Sequence, residues 1–366
     1  MKVNIIGPLF GSSGFASHTK QLATAMHELG IDVRLDCQKP QGWETMVNDM
    51  ELNWLTKPFE TDMVSIMIGQ PPSMPFAWAE NPKTVIPFII WEGTSVPKYW
   101  MKYLEDPRVK QIWVPSEHIK LALVDKPESP LLEKIKVIPH GVDLNIFNPD
   151  EIKEVASEKQ PFTFLANKGW SQGINDRGGI QWLLKAYTEE FTKDDDVVLR
   201  LKINPSYFVR PFDFHAEADT IGIKKTEKSP AVLLSTDSVD FKMMPTFYNG
   251  DVFVSPTMGD AFNIPCLEAQ AMGVPVITTD FGGQTDYVDQ ENGWLINYEL
   301  VDSPDMNYEG IKWAKPDIEE LRKTMRDCFE NQEKIKEKGK LSRENARKFT
   351  WKESAKKAIA ALKELR

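Results

Sequence analysis

Short apolar runs alternate with helical segments along almost the whole chain, and this alternation restricts the fold more than any other feature of the sequence. Residues 2–6, KVNII, read as a strand, and the loop GPLFGSSG follows. FASHTKQLATAMHEL then carries Leu22, Met26 and Leu29 at helical spacing until Gly30 stops it. IDVRLDC is the next strand, which completes a βαβ unit whose Gly-rich turn stands where such folds receive phosphates. DMVSIMIG, TVIPFIIW and KQIWVPS continue the series as continuous apolar runs, the pattern of parallel strands covered on both faces.

A polar stretch, EIKEVASEKQ, reads as a connector, and a second alternating series begins at PFTFLANKG. It proceeds through GIQWLLKAYTEEF, DVVLRLKI, DVFVSPT, PCLEAQAM, VPVITT and GWLI, so the expectation is two doubly wound α/β domains. Their combined length of 366 residues agrees, since one hydrophobic core rarely serves a chain so long. From Asp317 to Arg366 the pattern is helical and highly charged, with no obvious caps, and taken alone it reads as a solvated helix pair.

The totals exclude some functions. A net charge of -10 argues against nucleic acid as a partner, because such binding relies on many cations neutralising phosphates. Cys37, Cys266 and Cys328 are few and far apart, which suits reduced thiols in a cytoplasmic protein better than disulfides or zinc. The five histidines lack the spacing of a metal site. The opening MKVNIIG reads as a first strand and not as a signal peptide, and no apolar run approaches the length of a membrane span.

One segment, MGDAFNIPCLEAQAMGVPV, sets Asp260 and Glu268 with seven residues between them around an apolar run. DVFVSPT before it is a strand, Asn263 is placed to cap the helix that begins with Ile264 and Pro265, and Gly273 ends that helix. Asp260 therefore falls in the loop leaving a strand's carboxyl end, where parallel sheets bind ligands. The helix start favours a phosphate, so functional carboxylates beside it would hold hydroxyl groups instead. The other reading makes Asp260 a turn residue and Glu268 an exposed helix position, and spacing alone leaves both open.

DVFVSPTMGDAFNIPCLEAQAMGVPVITTDFGGQTDYVDQENGWLI resembles the donor-binding segment of retaining glycosyltransferases of family four, the group 1 glycosyltransferases. GPLFGSSGFASHTKQLATAMHELGIDV, VPSEHIKLAL, KIKVIPHGVDLNIFNP and FTWKESAKKAIAALKEL agree in order, and residues 206–240 agree least. The resemblance implies the GT-B fold, two Rossmann-like domains facing a cleft. Residues 1–150 would form the acceptor-side domain, 151–345 the nucleotide-sugar domain, and 346–366 a helix crossing back to pack on the first.

It further implies a hexose transferred with retention from a nucleoside diphosphate sugar to an acceptor hydroxyl, with no cofactor and no metal. The acceptor would be a glycan, a lipid or a small molecule, and peripheral membrane contact stays open. Glu268 would hold the ribose, Asp260 would touch the donor sugar where the family has a glutamate, and the backbone of Phe262, Asn263 and Ile264 would meet the diphosphate or sugar. In FLANKGWSQGINDRGGIQWLLKAY, Lys168 and Arg177 would stabilise the leaving diphosphate, with the family's arginine and lysine exchanged. Gly14 in the first loop and Glu92 in FIIWEGTSVPKYW would approach the donor or the acceptor. A different class of function, a nucleotide-sugar-binding partner or regulator that has lost turnover, is the alternative.

Overall fold

The structure, a computed structural model, describes residues 1–11, 13–124, 129–151, 161–170, 172–204, 212–237, 239–305 and 309–365. The expected connector at 151–160 lies, apart from its first residue, outside the described residues. The chain divides into two compact units, Met1–Gly141 with Phe349–Arg366, and Val142–Lys348.

In the first unit β1 (Lys2–Ile6), β2 (Asp32–Asp36), β3 (Val64–Gly69), β4 (Thr84–Ile89), β5 (Ile112–Val114) and β6 (Ile135–Val137) make one parallel sheet. Its order is β2-β1-β3-β4-β5-β6, so the sheet grows in opposite directions from the boundary between β1 and β3. The helix Gly14–Glu28 follows β1. Ser13 caps it by accepting from the Ala16 N–H at 3.2 Å, and the helix buries Leu22, Ala23 and Met26.

The helix Trp351–Lys363 belongs to this unit. Far from being solvated, it buries Trp351, Ala355, Ala358, Ala361 and Leu362, and Thr350 caps it at the Glu353 N–H. Gln111 donates to the Ala361 carbonyl at 2.8 Å. A side chain at Gly141 would meet the Trp351 backbone nitrogen at 2.1 Å, so only glycine permits this approach. The ring of Trp351 lies 5.7 Å from that of His18 and 5.8 Å from that of His140. Burial, and then the neighbouring His140, hold the His18 imidazole well below its ordinary value, so it packs as a neutral ring.

The second unit holds β7 (Phe162–Lys168), β8 (Val197–Ile203), β9 (Ala231–Ser235), β10 (Val252–Ser255), β11 (Val276–Thr279) and β12 (Gly293–Ile296). All pair in parallel, in the order β12-β11-β10-β7-β8-β9. Read from β9, this is the strand order 3-2-1-4-5-6 of a dinucleotide-type sheet, with its switch point between β7 and β10. The helices Ile180–Glu190 and Ile318–Glu330 cover one face, and Phe164, Leu199, Leu183, Leu184, Leu321 and Met325 form the core between them. Each such side chain is worth roughly 1.5–3 kcal/mol when fully buried. A hairpin, β13 (Tyr298–Asp302) with β14 (Lys312–Pro316), is antiparallel and separate from the sheet.

The units divide at Gly141/Val142 and Lys348/Phe349 rather than at 150/151 and 345/346. Phe147 packs against Tyr248 and Phe241, with ring centroids 5.9 and 5.5 Å apart, and Arg343 grips both oxygens of Asp150, which ties residues 142–150 to the second unit. The tail also proves to be three helices, Ile318–Glu330, Gln332–Ala346 and Trp351–Lys363, of which Asp317 and Thr350 cap the first and last.

Candidate functional site

Lys168 ends β7 and the loop 256–263 leaves β10, so both stand at the carboxyl edge of the switch point. The Lys168 Nζ donates to Asp260 Oδ2 at 2.6 Å. The other carboxylate oxygen, Oδ1, accepts from the backbone N–H of Phe262 at 3.2 Å and of Asn263 at 2.7 Å. Asp260 is thus a turn residue and an ion-pair partner at once.

Arg177 arrives from the loop between β7 and its following helix, and its Nη1 donates to the Gly259 carbonyl at 2.6 Å. The two loops are joined again where Met258 N–H donates to the Arg177 carbonyl at 2.9 Å. Such an approach requires Gly179, which has φ +86° and where a Cβ would lie 2.0 Å from the Pro256 carbonyl oxygen. Burial pushes the Asp260 carboxyl up, but the charges of Lys168 and Arg177 with the hydrogen bonds it accepts bring it down to about 2. It is an anion at neutral pH.

Asn263 corrects the capping expectation. It occupies the N-cap position of the helix Ile264–Ala271, but its backbone is left-handed, φ 63° and ψ 59°, and its side chain makes no capping bond. Nδ2 donates instead to Ser255 Oγ at 3.0 Å. The left-handed turn points the amide away from the helix, and Asp260 receives the loop N–H groups in its place. The N–H groups of Phe262 and Asn263, whose backbone the resemblance sets against the diphosphate or sugar, are engaged by Asp260, whereas Ile264 opens the helix. The carbonyls of Phe262 and Asn263 accept from the Tyr287 hydroxyl at 2.8 and 2.7 Å, which fixes the turn from below.

Glu268 is buried, 7% exposed, and not the exposed helix position that was one of the two sequence readings. Its Oε2 accepts from the Tyr248 hydroxyl at 2.6 Å. Burial raises its carboxyl, only partly offset by that hydrogen bond, to about 7. Tyr248 and Asn167, which also bonds the Tyr248 hydroxyl, carry no signal in the sequence: a tyrosine four residues before a strand reads as core.

Two candidates stand in the first unit. Gly14 is the first residue of the helix that follows β1, with no described atom within 4 Å of where a side chain would begin. Glu92 follows β4, partly buried, in a loop fixed by the Trp91 indole donating to the Ser95 carbonyl at 2.7 Å. Both lie at the carboxyl edge of their own sheet. The structure thus gathers Lys168, Arg177, Asp260, Phe262 and Asn263, with Ile264 beginning the adjoining helix, and sets Glu268 on that helix. Trp91 and Trp100 are buried against each other with centroids 4.7 Å apart, so neither ring offers a free face.

Residues 173–306, which contain Arg177, Asp260 and Glu268, match the family of Glycosyl transferases group 1. The second unit carries a group 1 glycosyltransferase domain. The chain is 25% identical over 231 residues to the D-inositol 3-phosphate glycosyltransferase of Paenarthrobacter aurescens, covering 61% of this chain and 50% of that protein. It is 22% identical over 236 residues to a probable sucrose-phosphate synthase of Thermosipho melanesiensis, covering 62% and 47%. The chain with the group 1 domain therefore spans about half the length of these curated relatives.

Over its full length the chain has the GT-B fold of solved glycosyltransferases. It aligns with the sucrose-phosphate synthase of Thermosynechococcus elongatus at a TM-score of 0.72 and 16% identity, covering 100% of this chain and 98% of that one. It aligns with HepE of Anabaena, solved in complex with UDP and glucose, at a TM-score of 0.70 and 13% identity, covering 100% of both. No helix among the described residues is long and apolar enough to cross a membrane.

Proposed function

We propose that the protein is a retaining glycosyltransferase that moves a hexose from a nucleoside diphosphate sugar to an acceptor hydroxyl. The observation that carries this reading is the gathering of Lys168, Arg177 and Asp260 at the switch point of a sheet that bears a group 1 domain. As the glycosidic bond breaks, the departing diphosphate gains negative charge, and two cations at a fixed edge stabilise it without reorganisation. HepE, a structural neighbour, was solved with UDP-glucose, which supports a sugar nucleotide as the donor class.

In this reading Arg177 and Lys168 hold the diphosphate, the Ile264 end of the helix adds its dipole, and Glu268 accepts hydrogen bonds from the ribose hydroxyls. Asp260, shorter by one methylene than the family's glutamate, orders the loop through Phe262 and Asn263 and presents its edge to the donor sugar. The acceptor attacks from the face the diphosphate leaves, and a donor phosphate oxygen takes its proton, so no enzyme nucleophile and no metal are required. Gly14 and Glu92 serve the donor or the acceptor from the first unit. The acceptor is a glycan, a lipid or a small molecule, and the setting is cytoplasmic, with peripheral membrane contact where the acceptor is a lipid.

Binding without turnover is the second reading, favoured by the pairing of Lys168, one of the two cations, with Asp260. A panel of UDP-, GDP- and ADP-sugars, followed by thermal shift and nucleotide release, separates the two. Stabilisation with release that Arg177→Ala abolishes supports the transferase. Stabilisation without release supports the binding protein, and no response to any donor overturns both.

A further inference from the structure

Consecutive residues of a strand point to opposite faces of its sheet, and the last two residues of β7 use both. Lys168 reaches Asp260, while Asn167 reaches the Tyr248 hydroxyl, which in turn donates to Glu268 at 2.6 Å. Tyr248 is 1% exposed, and its ring is held by Phe147, Phe253 and Phe247, with centroids 5.9, 5.7 and 5.5 Å away. The ring cannot turn without disturbing this packing, so its hydroxyl oxygen is held within hydrogen-bond reach of Glu268 Oε2. Burial holds the phenol well above its ordinary value, and it therefore remains a donor across neutral pH.

We propose that Tyr248 is a positioning residue for donor binding, aiming the Glu268 carboxylate and keeping it charged so that Oε1 receives the ribose hydroxyls. The proposal rests on the reading of the site as a sugar-nucleotide site and names the group that makes Glu268 serviceable there. A buried carboxylate with one neutral partner is poorly solvated, and the bond from Tyr248 favours its ionised form. Cys266 on the same helix and Tyr287 from the turn after β11 also face Glu268 electrostatically, and the thiolate of one or the phenolate of the other would oppose that ionisation. Tyr248 donates the side-chain hydrogen bond that opposes them at the carboxylate.

Tyr248→Phe tests this, since it removes one oxygen and keeps the ring. Two quantities are measured on the full chain: the Glu268 titration by carboxyl carbon NMR in the free protein, assigned with Glu268→Gln, and the affinity for UDP-, GDP- and ADP-glucose against pH. The proposal expects a Glu268 midpoint raised by the substitution, donor affinity at neutral pH about tenfold weaker, and a pH profile displaced upward by the same amount as the midpoint. In turnover it expects KM to rise with kcat little changed. In the double variant with Glu268→Gln, losing the tyrosine hydroxyl should cost no further affinity.

An unchanged midpoint and unchanged pH profile in Tyr248→Phe, with Glu268→Gln weakened, would make Tyr248 a core residue only and overturn the proposal. A fall in affinity with no movement of the pH profile would overturn it as well, since general loosening of the core would explain that result. If the wild type binds no donor at any pH, the functional reading fails and the donor-binding role with it. The NMR midpoint still reports in that case whether Tyr248 keeps Glu268 charged.

Discussion

Asp260 and Glu268 share one loop and helix, yet their surroundings drive them apart. Asp260 lies beside two cations and accepts two backbone N–H groups, and its carboxyl comes down to about 2. Glu268 is sunk in the protein with a phenol for a partner, and its carboxyl rises to about 7. The difference teaches that β7 divides the labour of the site. Its last residue, Lys168, serves the permanently charged carboxylate, and the residue before it, Asn167, serves the chain of bonds to the titrating one. Pairs of carboxylates held in such different states are a recurring device of active sites.

The comparison makes opposite predictions for the two ends. The largest expected effect is catalytic: Arg177→Ala should lower nucleotide release about a hundredfold or more, because the diphosphate then departs with one stabilising cation fewer. Glu268→Ala should weaken donor binding without that loss in kcat. Equal losses in both parameters for both variants would erase the distinction between a cation at the leaving group and a carboxylate at the ribose.

Stability comes next. Asp260→Asn strands Lys168, whose side chain is only 10% exposed, and should cost about 2 kcal/mol, read as a lowered midpoint in denaturant. Glu268→Gln keeps an acceptor for Tyr248 and removes a buried charge, so above neutral pH it should be neutral or stabilising by about 1 kcal/mol. A large destabilisation by Glu268→Gln would show that its charge supports the fold.

The pH dependence carries the same contrast with opposite signs. Asp260 is lowered from an ordinary 3.8, so its contribution of about 2 kcal/mol is present above that value and lost as pH falls through about 2. Glu268 is raised from an ordinary 4.5. The folded state therefore binds the extra proton between 4.5 and about 7, and stability falls as pH rises through that window by an amount on the order of 3 kcal/mol. Comparing wild type with Glu268→Gln in denaturant at the two ends of the window isolates this term. The smallest effect is expected at Gly14, where Gly14→Ala meets no described atom within 4 Å and should leave stability within about 0.5 kcal/mol. Any change in donor or acceptor kinetics there would then be a local effect.

Much of this was legible beforehand. The parallel strands announce themselves as apolar runs, and the loop carrying Asp260 follows a strand just where spacing puts it. β9 is not legible in the sequence because it is an edge strand with exposed Leu233 and Leu234, lying in the stretch 206–240 that resembles the family least. Asn263 reads as a cap in the sequence because asparagine suits that position, whereas the left-handed backbone that removes the capping bond leaves no mark there. Tyr248 was invisible for a different reason: whether an aromatic residue fills space or donates a proton depends on what the fold sets opposite it, and Glu268 lies a strand and a loop away.

The most direct test of the two-state account of these carboxylates is donor affinity measured across neutral pH for the wild type beside Glu268→Gln. The account predicts that wild-type affinity rises with pH through about 7 and then levels, while the variant binds weakly and without that step. A wild-type profile that is flat through neutrality, or a step of equal size in Glu268→Gln, would contradict it.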